Sequence, residues 1–468
     1  MVESAGAATS VDVGQIIDNG EWTTMQKVVV FFAALSIVLD GFDGQLIGFA
    51  IPVIIKEWGV SRGDFAPVVA TGLVGMGIGS ACAGLFADRF GRRWAVIASV
   101  FLFGFATCLI GLSQNLLTIA LLRFAAGLGI GGALPSSTTV TAEFTPARRR
   151  TLAITATIVC VPLGGMLAGF FASFILPAYG WRGLFLIGGA IPMIMGLILF
   201  TTIPESPRFL VRHPERWGEL QKLLAKMSRP TAAGAVYTDI AEQKMEKRDG
   251  FPALFQSGLA RDTAALWSAF FMTLLAVYAA FSWLPTMLAS EGLDVAVAGS
   301  GLTAYNLGGV LGALGCAVAI TRFGSRWPLG IACIVGAASA FALTQVNPVQ
   351  STSLFIAGIG LHGLCTNAVQ STMYAVCAYV YPTSVRATGT ASALAFGRLG
   401  AIFSAFAGAA IITAAGGSGY LVMLGLAMLV SFASLMLLSR HIPPLARISA
   451  ATKQVGAGVP APHSHPRR

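Results

Sequence analysis

Asp88-Arg89-Phe90-Gly91-Arg92-Arg93-Trp94 returns later in the chain as Thr321-Arg322-Phe323-Gly324-Ser325-Arg326-Trp327. Five of the seven positions are identical, at an offset of about 233 residues. A second pair, Pro146…Arg150 and Pro382…Arg386, repeats a Pro-x-x-x-Arg spacing at an offset of about 236. Chance accounts for one such match; two at nearly one offset point to a repeated unit. Each of these loops lies between long apolar runs, and those runs set the fold class.

Hydrophobic residues make up 55% of the 468 positions and charged residues only 11%, against roughly 25% charged in soluble domains. Mean hydropathy is +0.76. Apolar runs of about 18 residues or more suit a hydrocarbon core of ~30 Å. Spans are expected near 27–49, 64–87, 94–112, 115–139, 151–175, 183–203, 262–286, 299–320, 327–344, 352–379, 386–413 and 418–439. The fold class is therefore an all-α membrane protein with twelve transmembrane helices in two pseudo-symmetric six-helix bundles. The expected division is an N-terminal tail (1–26), a first bundle (27–203), a linker (204–261) with a charged helical piece near 215–227, a second bundle (262–439) and a C-terminal tail (440–468). The polar, acidic first residues lack a basic segment before the first apolar run, so no cleavable leader is read there. A disordered, cytoplasmic tail is expected instead.

About 25 of the 30 Lys and Arg fall in the loops of one side and about 3 on the other. By the positive-inside rule both termini are cytoplasmic. The net charge of +10 does not indicate nucleic acid, because the cations sit between apolar runs and not on one soluble face. Cys82, Cys108, Cys160, Cys316, Cys333, Cys365 and Cys377 all lie in apolar runs, with no Cys-x-x-Cys pair. They read as structural thiols, with no metal or disulfide. No phosphate-binding Gly-x-x-x-x-Gly-Lys-[Ser/Thr] run is present, so no nucleotide or other cofactor is called for. No nucleophile–base pair suggests an enzyme. A monomer is expected.

Gly84-x-x-x-Asp88-Arg89-x-Gly91-Arg92-Arg93 resembles the loop 2–3 signature of the major facilitator superfamily. The resemblance implies that family's fold over essentially the whole chain, with transport by two halves rocking about a central site. It also implies a cytoplasmic latch built from Gly84, Asp88, Arg89, Gly91, Arg92 and Arg93, which Glu143 and Arg386 join from neighbouring loops. The plainer reading is a positive-inside anchor with no gating role. In the second copy Thr321 stands where the first has Asp88, so a latch there is weaker or different.

Ionisable groups inside spans are costly and mark function by default. Asp40-Gly41-Phe42-Asp43 places two carboxylates at i and i+3 on one helix face. Asp40, Arg123 and Arg398 fall at similar depths, slightly outside the membrane midplane. Such a set is either a structural salt-bridge cluster or a site for a charged substrate. In the second case Asp40 or Asp43, favoured in its neutral form by desolvation, carries a proton. Arg398 then grips a carboxylate bidentately, with Arg123 tied to an aspartate or sharing the substrate.

The Asp-Gly-Phe-Asp run resembles the span-one signature of the aromatic acid:proton symporter family within that superfamily. Arg123-Phe124-x-x-Gly127-x-Gly129-x-Gly131-Gly132 and Thr141-Ala142-Glu143-Phe144-x-Pro146 are similar to its span four and following loop. Tyr381-Pro382-Thr383-x-Val385-Arg386 and Gly397-Arg398-Leu399-Gly400 resemble its loop 10–11 and span eleven. The resemblance implies import of a small aromatic or related carboxylate with protons, for catabolism, in a bacterial inner membrane. Transport roles pass to Asp40, Asp43, Arg123 and Arg398.

Polar and aromatic groups on spans seven, eight and ten complete the candidate substrate set: Tyr278, Trp283, Tyr305, Asn306, His362, Asn367, Gln370 and Tyr374. Trp283 or Tyr278 can stack on an aromatic ring and His362 can relay a proton. For each, ordinary packing is the competing reading. A proton-driven efflux antiporter of organic anions and a transporter-like receptor are the alternative functions.

Overall fold

The computed structural model describes residues 10–232, 235–239, 251–256, 258–382 and 385–444. A three-residue strand, β1 (Ser10–Asp12), and a short helix, α1 (Val13–Asn19), lead into four long helices. These are α2 (Thr24–Trp58), α3 (Arg62–Phe90), α4 (Arg92–Ile110) and α5 (Leu116–Phe144), which form spans one to four. Side-chain caps set their starts. Thr23 and Gln26 form a capping box before span one, Ser61 and Asp64 one before span two, and Asn115 accepts from the Thr118 amide at 2.8 Å before span four. Each cap satisfies amides that the first helical turn leaves without partners.

Helix α6 runs over Ala147–Thr202. At 1.5 Å per residue, 56 residues in line would reach ~84 Å, nearly three hydrocarbon cores. The helix turns back at Gly180, whose backbone (φ 64°, ψ −174°) is not helical. Its two ends lie on one face, because Ser206 just beyond it donates to Glu143 just before it. The second half repeats the plan. After α7 (Pro207–Val211), α8 (Trp217–Lys226) and β2 (Val236–Thr238) come α9 (Leu259–Ser290), α10 (Val295–Phe323), α11 (Arg326–Leu343) and α12 (Thr352–Val380), spans seven to ten. Helix α13 (Arg386–Met436) folds back at Gly416 (φ 63°, ψ −161°), giving spans eleven and twelve. The twelve expected spans are thus all present, two of the hairpins closing on a single glycine.

The duplication is written in the backbone as well as in the loops. Six of the seven positive-φ glycines among the described residues fall in pairs: Gly59 with Gly292, Gly91 with Gly324, and Gly180 with Gly416. The intervals are 233, 233 and 236 residues, matching the sequence offsets. A carboxylate clamps each far hairpin. Glu57 accepts from the Trp181 indole at 2.8 Å, and Glu291 from the Gly417 amide at 2.7 Å. Small residues bring matching helix pairs together. Span one meets five where Gly41 lies on Val161, and seven meets eleven where Gly400 lies on Phe271. Span two meets four at Gly131 and Met76, and eight meets ten at Gly312 and Leu364. A Cβ on any of those four glycines would sit about 2 Å from a carbonyl oxygen.

On the face away from the termini one apolar core runs through both bundles, joining Phe49 and Ile51 to Leu284, Met287 and Leu302. Toward the terminal face each bundle has a core of its own. Tyr278 touches all three. The seal between the bundles therefore lies on the far side.

One expectation fails. The N-terminal segment is ordered from residue 10: β1 pairs in parallel with β2, Ser10 opposite Val236. Asp18 takes Arg150 and Arg208, and Arg208 also reaches Asp239 at 3.5 Å. An acidic tail beside basic loops finds partners that its own composition does not reveal. Residues 1–9, 233–234, 240–250, 257, 383–384 and the C-terminal tail from 445 onward lie outside the described residues.

Two glycines with equally open surroundings test the hairpin geometry. Gly180 and helical Gly77 both have nothing within 4 Å of a built Cβ. Gly180→Ala forces an L-residue to positive φ with extended ψ and lowers stability by about 1–3 kcal/mol. Gly77→Ala raises it by up to about 1 kcal/mol. Thermal unfolding of the purified variants in one detergent checks that the shifts have opposite signs.

Candidate substrate cavity

Three of the four unusual charges meet between the bundles, and the fourth, Asp43, lies inside the first bundle. Asp40 is 6% exposed, Arg123 5% and Asp43 0%, while Arg398 is half-buried. Asp40, Arg123 and Arg398 line one cavity of about 1040 Å³, its mouth included, together with Tyr278, Asn367, Gln370 and Tyr374. Leu134, Ile158 and Leu394 carry the lining toward the terminal face.

The helical period separates the two aspartates. Asp40, Gly41, Gly44 and Gln45 share the cavity face of span one, but Asp43 does not reach it. Asp43 points into the first bundle, where Arg123 is the opposite charge acting on it and Thr107 of span three faces it. The field at Asp40 comes instead from Arg398 across the bundle interface. Neither pair closes to the 4.0 Å of an ion pair. Both Asp43 oxygens, Oδ1 of Asp40, and Nε and Nη1 of Arg123 are buried with no hydrogen-bond partner. Arg123 thus touches both places, lying against Gly72 of span two on its way from the cavity to Asp43. Arg398 is anchored differently: its Nη1 donates to the Tyr278 hydroxyl at 2.7 Å, and its guanidinium lies 5.7 Å from that ring's centroid. Buried charges without partners are rare because each costs several kcal/mol; a ligand carboxylate would supply what Arg123 lacks.

The remaining candidates divide. Gln370 donates to Tyr374 at 3.3 Å on the cavity wall. Trp283, Tyr305, Asn306 and His362 do not line the cavity. Trp283 is fully buried against Gly408 of span eleven. Tyr305 packs on Phe281 and His362, whose Nδ1 lies 2.9 Å from the Gly336 carbonyl. Asn306 joins Gln45 through two amide hydrogen bonds of 2.7 and 3.2 Å, crossing from one bundle to the other at the edge of the far-side seal. Spans that are apolar on every side carry no stripe to tell a cavity face from a packed one. For the same reason Gln45, Met76 and Ser282, which line the cavity, did not stand out.

The loop residues form a compact network at the terminal face. Arg92 bonds Asp88 at 2.6 Å and lies 3.5 Å from Glu143, which accepts from Ser206. Glu205 accepts from the Arg92 and Arg93 amides at 2.8 and 3.2 Å, capping span three. Gly91, at φ 103°, leaves room for it: a Cβ would lie 2.0 Å from the Glu205 carboxylate. Burial raises the Glu205 pKa, and those amides pull against the rise. Arg93 also holds the Phe200 carbonyl, and Arg89 lies over the Phe90 ring. Gly84 is exposed with nothing within 4 Å. Arg386 donates to the Tyr381 carbonyl in its own bundle. Each ion pair seen among the described residues stays within one bundle and its adjoining segments.

The family model described as Major Facilitator Superfamily matches residues 33–299 and 266–463. The chain belongs to the major facilitator superfamily. Among relatives of this facilitator, the 4-hydroxybenzoate transporter PcaK of Pseudomonas putida is 34% identical over 404 residues, covering 86% of this chain and 90% of its own. The gallate transporter of Pseudomonas putida is 32% identical, covering 86% and 89%. The gentisate transporter of Corynebacterium glutamicum is 30% identical over 459 residues, covering 94% and 95%. The inward open xylose transporter XylE of E. coli shares the fold, with a TM-score of 0.70 at 18% identity over 91% of this facilitator and 99% of its own chain.

Asn306→Leu leaves the Gln45 amide unpaired in the seal, at a cost of about 1–3 kcal/mol to the closed far side. A cysteine at Val53, beside that seal, is then expected to react several-fold faster with a bulky thiol reagent added from the far face. Unchanged labelling would show that the amide pair does not hold the seal.

Proposed function

We propose that this facilitator imports a small aromatic or related carboxylate together with a proton, by alternating access, across a bacterial inner membrane with both termini cytoplasmic. The observation that carries the reading is Arg123: buried, lining the cavity, with two nitrogens unpartnered and Asp43 behind it. The aromatic character of the cargo rests on the relatives named for 4-hydroxybenzoate, gallate and gentisate. Tyr278, Phe281 and Tyr374 give the cavity ring faces for such a ligand.

The charges suggest how cargo and proton are tied. In the empty site Asp43 is the counter-charge of Arg123. An incoming carboxylate takes over that role from the cavity side, and Asp43 no longer needs to be ionised. It then binds a proton, so that anion and proton load together. Arg398, held by Tyr278, grips the other end of the cavity, with Asp40 as its counter-charge. A loaded site carrying one anion and one proton adds no net charge, so the pH gradient drives the cycle more than the potential does.

Proteoliposomes with an imposed pH gradient, offered benzoate, 4-hydroxybenzoate, gallate and gentisate, test the reading. Accumulation with the gradient and none without it is expected; substrate moving only against the proton flow would make the protein an antiporter. Asp43→Asn is expected to abolish accumulation while exchange of internal for external substrate persists. Concentrative uptake at the normal level in that variant would refute the assignment. Arg123→Gln is expected to weaken substrate binding at least about 30-fold, measured by equilibrium binding to the purified protein.

A further inference from the structure

A second lined groove lies on the outer surface of the first bundle, between the starts of spans one and five. Its polar end is made by Trp22, Lys27 and Arg149; below them Phe31, Leu152 and Ala156 form an apolar trough that ends at Cys160. Arg149 and Cys160 are eleven residues apart on one helix, so the trough reaches ~16 Å toward the membrane centre. Phe31 and Leu152 are 61% and 71% exposed, so the groove opens to the surroundings and not to the substrate cavity.

Three features of the polar end point to an anion. Lys27 and Arg149 take part in no ion pair seen among the described residues, although Arg150, the next residue, is paired with Asp18. The Arg149 guanidinium is held 5.9 Å from the Trp22 ring centroid, which fixes its position without neutralising it. The Trp22 indole N–H is buried and has no acceptor. Two unpaired cations and a free donor above a hydrocarbon-lined trough match a molecule with an anionic head and an acyl chain. A soluble anion would leave the trough empty, and a zwitterionic lipid would set its own ammonium beside the two cations.

We infer that this groove binds one anionic phospholipid, its phosphate on Lys27, Arg149 and the Trp22 N–H and one chain along the trough to Cys160. The position gives the lipid a lever. Just beyond the trough, spans one and five close tightly through Gly41 on Val161 and Gly164 on Val38. Asp40 and Val161, at that crossing, line the substrate cavity. A chain seated in the groove props the outer side of the same helix pair.

Cys160 is a native reporter. The delipidated protein is to be treated in detergent with a small maleimide, and modification at Cys160 quantified by peptide mass spectrometry. Arms contain phosphatidylglycerol, phosphatidylcholine or glycerol phosphate. Phosphatidylglycerol is expected to slow labelling at least five-fold over phosphatidylcholine, with no effect of glycerol phosphate. The preference should vanish in Lys27→Ala/Arg149→Ala and survive in Lys27→Arg/Arg149→Lys, which separates charge recognition from misfolding. Equal protection by both lipids would make the groove an ordinary lipid-facing surface. Restored Cys160 labelling when glycerol phosphate is added to the phosphatidylglycerol arm would make it a soluble-anion site; either result overturns the proposal.

Discussion

Everything in this molecule is arranged around the cost of holding Asp40, Asp43, Arg123 and Arg398 at membrane depth. Each such group costs about 2.5–3.5 kcal/mol at a helix centre even on lenient scales. The two bundles recover that cost by turning the charges toward each other, with opposite signs facing at close but not touching range. Direct contact would lock the site. Separation leaves the arginine donors and aspartate acceptors open to a charged guest.

The scaffold serves that arrangement through glycine. Matching helix pairs in the two halves approach until carbonyls leave no room for a side chain, which makes each bundle a stiff body. Stiff bodies concentrate change at their mutual contact, and that contact is uneven. A shared apolar core closes the far side, reinforced by the Gln45–Asn306 amide pair. Toward the termini the cores are separate, and polar networks such as Arg92–Asp88–Glu143 stay within one half. Gln45 belongs to both the seal and the cavity wall, so the site and the seal share a residue.

Much of this was legible in the chain. The spans follow from length and hydropathy, the duplication from two loop motifs, and the key charges from their rarity in apolar runs. What was not legible has a common cause. A helix surrounded by lipid and other helices is apolar on all faces, so sequence alone does not say that Asp40 turns to the cavity while Asp43, three residues on, turns to Arg123. Nor does it separate Tyr278, which holds Arg398, from Trp283, which fills the core five residues later. The ordered N-terminal segment was hidden because Asp18 finds its partners, Arg150 and Arg208, more than 130 residues away.

In the proposed cycle a substrate anion takes over Arg123 and frees Asp43 to take a proton. Calorimetric titration of 4-hydroxybenzoate into the purified protein, in buffers of different ionisation enthalpy, measures the protons taken up on binding. About one proton per carboxylate bound is expected, and none in Asp43→Asn. Binding heats that do not vary with the buffer in the unmodified protein would contradict it.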